Sequence, residues 1–139
     1  GWLLILLIIW VPSHARAPDV VCASQWAQSE SEVHVFVKFA SGMEDEAVKG
    51  VDVTAVDFGD STLRVQAVQR GSGQRFWYSA ALARAYDRER STYKARPYGV
   101  GVVLRKLPAT SAAAARWPSL LSAAGARSRG PMPSPIGAL

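Results

Sequence analysis

Few of the 139 residues are equipped for chemistry. The histidines are His14 and His34 and the single cysteine is Cys22, so an internal disulfide and a Cys-cluster zinc site are excluded, and two histidines do not complete a metal site. No metal and no cofactor are expected. His34 falls in a run where Val33, Val35, Val37 and Phe39 alternate with His34, Phe36 and Lys38. Period two puts His34 on the solvent side, and no nucleophile or orienting carboxylate is placed around it. Glu44, Asp45 and Glu46 could act as paired carboxylates, but with neither a cation cluster nor an apolar pocket to separate their pKa values they read as a solvated loop. Gly71-Ser72-Gly73 lacks the third glycine of a phosphate-cradling loop, and Gly99-Val100-Gly101 has no amphipathic helix after it. The chain therefore reads as a binding protein and not an enzyme. Large aromatic side chains remain: Trp26, the run Phe76-Trp77-Tyr78, and Trp117 followed by Pro118. Phe76 and Tyr78 suit a core. Trp117 stands outside any alternating pattern and is pinned by proline, which suits a lid folded back across a sheet or an anchor presented to a partner.

The elements that would position these side chains are strands. The alternation from Glu32 to Phe39 is the clearest. Val51, Val53 and Ala55 alternate with Asp52 and Thr54, Phe58-Gly59-Asp60-Ser61 signals a turn, and Leu63, Val65 and Ala67 alternate with Arg64 and Gln66, which predicts a hairpin. Gly71-Ser72-Gly73 supplies the next turn before an aromatic strand from Arg75 to Leu82. Residues 86–96 are polar and charged and read as a long loop carrying a short strand around Ser91–Lys94. Gly99–Lys106 is the last strand, and residues 110–115 (TSAAAA) form at most a short helical turn. The stretch 24–121 holds twelve valines and no isoleucine. Turn signals every 8–15 residues or so make the expected fold an all-β antiparallel sandwich.

Composition divides the chain into three. Residues 1–23 contain the apolar run Trp2–Val11, too short for the roughly 20 residues of a membrane span. It fits a signal-peptide core, with small-residue cleavage patterns at Ser13–Ala15 and Val21–Ala23, or the end of a membrane anchor. Membrane contact is expected only through residues 2–11. Residues 24–121 are the sandwich, and residues 122–139, rich in Pro, Ala and Gly, read as a disordered tail. The formal charge of +5 shrinks to +3 within residues 24–121, where 13 basic residues are scattered among 10 acidic ones. That pattern lacks the basic stripe of a nucleic-acid binder, so no nucleic-acid partner is expected.

Trp26 ahead of VHVFVKF (33–39), the paired strands in VDVTAVDFGDSTLRVQAV (51–68), and VVLRK (102–106) followed by RWPSL (116–120) together resemble a CS domain. The similarity is greatest to the 23-kilodalton co-chaperones of heat-shock protein 90. It runs from Trp26 to about Leu120, and LRK-to-WP is its most specific part. It implies a seven- or eight-stranded antiparallel sandwich related to the small heat-shock proteins, with no catalytic site. The implied partner is heat-shock protein 90 in its ATP-bound state, together with its clients. Carried over by position, Arg105, Lys106, Trp117, Pro118 and Leu120 lie on or near the chaperone-binding edge, and Lys94 is a further candidate. Ser119 stands where the family motif carries arginine. The resemblance implies a cytoplasmic, and also nuclear, location, whereas the apolar segment points to the secretory route or a membrane anchor. Two other readings compete: a CS module of a membrane-associated fatty-acid elongation dehydratase, and a secreted β-sandwich binding module.

Overall fold

The computed structural model describes residues 19–122. The apolar run at residues 2–11, the first cleavage pattern, and the tail beyond Ser122 lie outside the described residues. Eight strands follow in chain order: β1 (Val20–Val21), β2 (Ala23–Gln28), β3 (Glu32–Lys38), β4 (Val51–Phe58), β5 (Thr62–Gln69), β6 (Arg75–Ala81), β7 (Tyr86–Arg96) and β8 (Gly99–Lys106). One short helix, α1 (Ala112–Ala115), comes after them. The strands form two four-stranded sheets, ordered β1-β6-β5-β4 and β2-β3-β8-β7. Every pairing is antiparallel except that of β1 with β6. The fold is an all-β, eight-stranded sandwich.

Its core is written by period two. Val33, Val35 and Val37 of β3, Leu63, Val65 and Ala67 of β5, Phe76, Tyr78 and Ala80 of β6, and Val100, Val102 and Leu104 of β8 all face the space between the sheets. The β4–β5 hairpin forms where expected. Gly71 and Gly73 hold φ of 84° and 71° in the β5–β6 turn, a region costly for any side chain.

Two segments differ from the sequence reading. The polar stretch 86–96 is one strand of 11 residues, not a loop with a short strand inside it. β7 is an edge strand paired only with β8, and only Tyr86 and Ser91 in it are buried, so no hydrophobic alternation marks it. Its register slips between Asp87 and Thr92, where Ser91 Oγ donates to the Asp87 carbonyl (2.7 Å) and accepts from Arg105 N–H (3.0 Å). The serine thus repairs a break in the ladder, and the surrounding charges guard an open edge.

The second difference is at the entry. Pairing begins at Val20, ahead of Ser24, in residues that read from the sequence as linker. Arg75 grips Asp19 with two hydrogen bonds, Nε to Oδ1 at 2.8 Å and Nη2 to Oδ2 at 2.6 Å. Val20 and Val21 then lie beside Phe76 and Trp77, Cys22 N–H donates to the Trp77 carbonyl at 2.8 Å, and the chain crosses to the other sheet, where Ala23 N–H meets the Ala40 carbonyl at 2.8 Å. This crossing buries Cys22 in the core.

Burial pushes the Cys22 thiol up from 9.0 to about 12, against the opposing pull of its hydrogen bond with the Trp77 backbone. The unfolded thiol ionises above pH 9.0 while the folded one stays neutral. The contribution is therefore complete below pH 9 and is lost as pH rises towards about 12. Cys22→Ala is expected to flatten the decline of stability above pH 9 relative to the unsubstituted chain, read from urea midpoints between pH 7 and 11.

Candidate partner-binding surface

The candidate site begins at one end of the sandwich, where β2 finishes in Gln28 and β8 finishes in Lys106. After β8 the chain runs through an exposed loop to α1, whose first turn is capped by Ser111 Oγ accepting from Ala114 N–H at 3.0 Å. It then returns across the end of the sheets. Trp117 drops into the core at 2% exposure, and its backbone is clamped by one side chain. Gln28 Oε1 accepts from Trp117 N–H, and Gln28 Nε2 donates to the Trp117 carbonyl, both at 2.8 Å. The same Oε1 accepts from Lys106 Nζ at 2.8 Å, and Nζ also donates to the Ser29 carbonyl at 2.6 Å. Further on, the Leu120 carbonyl accepts from Ala83 N–H (2.8 Å), Leu121 bridges to Leu82, and Ser122 N–H reaches the Ala81 carbonyl (2.9 Å). The return segment is thereby stitched to the far end of β6.

Beside this clamp opens a cleft of about 230 Å³ whose lining includes Arg84, Leu107, Pro108, Ala114 and Trp117. Arg84 Nη1 donates to the Ala114 carbonyl at 2.6 Å and so holds the helix end over the cleft. Lys106 is only 8% exposed. Its pKa is lowered first by burial, then by the charges of Arg84 and Arg116, with Glu30 opposing. An ammonium held by two oxygens among other cations is a structural contact with a positive field around it. No nucleophile and general base meet there. Among the described residues there is no cluster of three metal-ligating side chains.

The six residues singled out from the sequence do not form one patch. Lys106, Trp117 and Leu120 are buried parts of the fold-back, and Pro118 is exposed beside them. Lys94 and Arg105 lie on the outer face of the β2-β3-β8-β7 sheet, where Lys94 pairs with Gly101 and Arg105 with Glu32. Lys94 is thus some five residues along β8 from Lys106, roughly 17 Å. Arg105 approaches Glu32 at 3.7 Å, as does His34 at 3.3 Å. Lys94 and Arg96 have no acidic partner among the described residues.

Beside Lys94 and Arg96 sits an aromatic pair that the sequence reading did not single out. Phe36, on the solvent side of β3, packs against Tyr98 with ring centroids 5.6 Å apart. The ring lies over Gly99, where an added Cβ would run into Phe36 and the Val37 carbonyl. An apolar residue on the polar side of an alternating strand was the available signal. Gln28 left no signal, because a glutamine at the end of an unpatterned strand looks like any surface glutamine.

No family model matches the sequence, and no curated protein matches it either. Among solved structures, heat shock protein 16.0 from Schizosaccharomyces pombe is similar to this chain at 12% identity and a TM-score of 0.47. The match covers 76% of this chain and 85% of that one.

Proposed function

We propose that this chain is a non-enzymatic co-chaperone or adaptor that binds heat-shock protein 90 in its ATP-bound state and assists the folding of client proteins. The observation that carries the reading is the outer face of the β2-β3-β8-β7 sheet. There Lys94 and Arg96 lie beside the Phe36–Tyr98 pair, in which Phe36 is half-buried and Tyr98 exposed, and Arg105 lies four residues further along the sheet. Lys94 and Arg96, without an acidic partner among the described residues, favour an acidic partner surface, and the aromatic pair beside them supplies the apolar contact that dominates binding energy. The resemblance of VVLRK and RWPSL to the co-chaperone pattern supports the same assignment. Pro118, exposed at the Lys106 end of the sandwich beside the buried Trp117 and Leu120, lies apart from this face.

The activity needs no chemistry from the chain. A partner that binds the closed, ATP-bound chaperone better than the open one shifts the equilibrium by the ratio of the two affinities, about 1.4 kcal/mol for each factor of ten. Holding the closed form slows ATP turnover and client release. On this reading the protein works in the cytoplasm and nucleus.

The test is a charge reversal of the outer face. Lys94→Glu combined with Arg105→Glu is expected to weaken binding to nucleotide-closed heat-shock protein 90 at least tenfold by calorimetric titration. Stability should stay within about 1 kcal/mol, since Lys94 is exposed and the Arg105–Glu32 pair is a surface one. Unchanged affinity in the double variant would remove this face from the interface.

A further inference from the structure

The cleft beside the Trp117 clamp has no part in binding through the outer sheet face, and its walls combine two kinds of chemistry. Arg84 and Lys106 line it together with Leu107, Pro108, Ala114 and Trp117. Among the described residues, none of Arg84, Lys106 and Arg116 forms an ion pair. Arg84 uses Nη1 on the Ala114 carbonyl, which leaves its Nε–Nη2 edge without an acceptor among the described residues. That is the edge by which Arg75 grips the Asp19 carboxylate. Lys106 Nζ donates to Gln28 and Ser29, and its third N–H has no acceptor among the described residues. At 8% exposure, that N–H has little water to turn to. Burial and the charges of Arg84 and Arg116 all disfavour the ammonium, with Glu30 opposing, so an anion in the cleft would relieve it.

We infer that the cleft takes the C-terminal residue of a partner peptide, with its carboxylate against Arg84 and Lys106 and a branched apolar side chain against Leu107, Pro108 and Trp117. Size limits the occupant. The volume of about 230 Å³ exceeds the roughly 150 Å³ of a cavity that holds benzene and falls short of the roughly 300–1,000 Å³ of drug-sized sites, so one residue fits. Chemistry narrows it further. A phosphate or an internal acidic side chain satisfies the cations and leaves the apolar wall without a partner, whereas an internal leucine does the reverse. A C-terminal leucine, isoleucine or valine carries both groups on one Cα, and a carboxylate matches the free guanidinium edge bidentately. A short free acid also carries both. Leu107 is 48% exposed and Pro108 is exposed as well, so the apolar wall continues outward, where the preceding residues of a peptide cover it and a lone acid does not.

The test titrates the full chain with acetyl-Gly-Gly-Leu bearing a free carboxylate, read from the NMR shifts of the Trp117 indole and the Ala114 amide. Saturation at a Kd on the order of 1 mM is expected. The C-terminal amide of the same peptide should bind at least tenfold more weakly, and so should acetyl-Gly-Gly-Glu amide, which brings the charge without the apolar group. Arg84→Gln should weaken the free acid several-fold. Because that variant also releases the Ala114 carbonyl, Lys106→Met is titrated beside it and should show a several-fold loss too. Equal affinity for acid and amide overturns the inference, as does parental affinity in either variant. If 4-methylpentanoate binds as tightly as the peptide, the site is one for a free acid and the peptide assignment falls. No saturable shift up to about 10 mM peptide overturns it outright.

Discussion

Trp117→Ala is expected to lower the free energy of unfolding by about 3–5 kcal/mol, measured from urea midpoints at constant slope. Trp117 is 2% exposed within the core cluster, so the truncation removes a large aromatic surface and leaves a cavity. The backbone cannot collapse to fill it, because Gln28 holds the Trp117 N–H and carbonyl on one side and Leu120–Ser122 hold the segment on the other. A domain of this size has about 5–15 kcal/mol in total, so the variant loses much of its margin. The consequence for function is specific: loss of partner binding in Trp117→Ala reports unfolding and not a missing anchor. Trp117→Phe, which keeps most of the volume, should lose less stability and keep binding.

The second large effect belongs to Gln28. Gln28→Ala removes three hydrogen bonds at once and leaves the Trp117 backbone groups and one Lys106 N–H without partners inside the sandwich end. Each unsatisfied buried group costs about 1–3 kcal/mol, partly relieved by water entering the adjoining cleft, so a net loss of about 2–3 kcal/mol is expected. Lys106→Met supplies the contrast. It withdraws a charge already disfavoured by burial and by Arg84 and Arg116, while Gln28 keeps both of its bonds to Trp117. Its stability should lie within about 1 kcal/mol of the parent. A chemical-denaturation series on the two single variants and the double checks this, because Lys106→Met should reduce the cost of Gln28→Ala if the ammonium is what the glutamine satisfies.

What the sequence reveals follows from which strands are buried on one face only. β3 and β5 alternate cleanly because one side meets the core and the other meets water, and both are readable by period two. β7 escapes because an edge strand with charges on both sides carries no alternation, and β2 escapes because ASQWAQ buries its residues only partly. Trp117 is recognisable as a fold-back residue from its isolation and the proline behind it, and the structure places it in the core. The clamp that holds it is not recognisable, since Gln28 and Trp117 are 89 residues apart and hydrogen bonding at that separation leaves no pattern. Lys94 and Arg105 share a face only because β7 and β8 pair in the observed register, with its slip between Asp87 and Thr92.

The most direct measurement is the nucleotide dependence of binding. Titrating the chain into heat-shock protein 90 saturated with a non-hydrolysable ATP analogue, and separately into the nucleotide-free chaperone, should give saturable binding in the first case and at least tenfold weaker binding in the second. Equal affinity for the two forms, or no binding to the closed form, would contradict the proposed co-chaperone function.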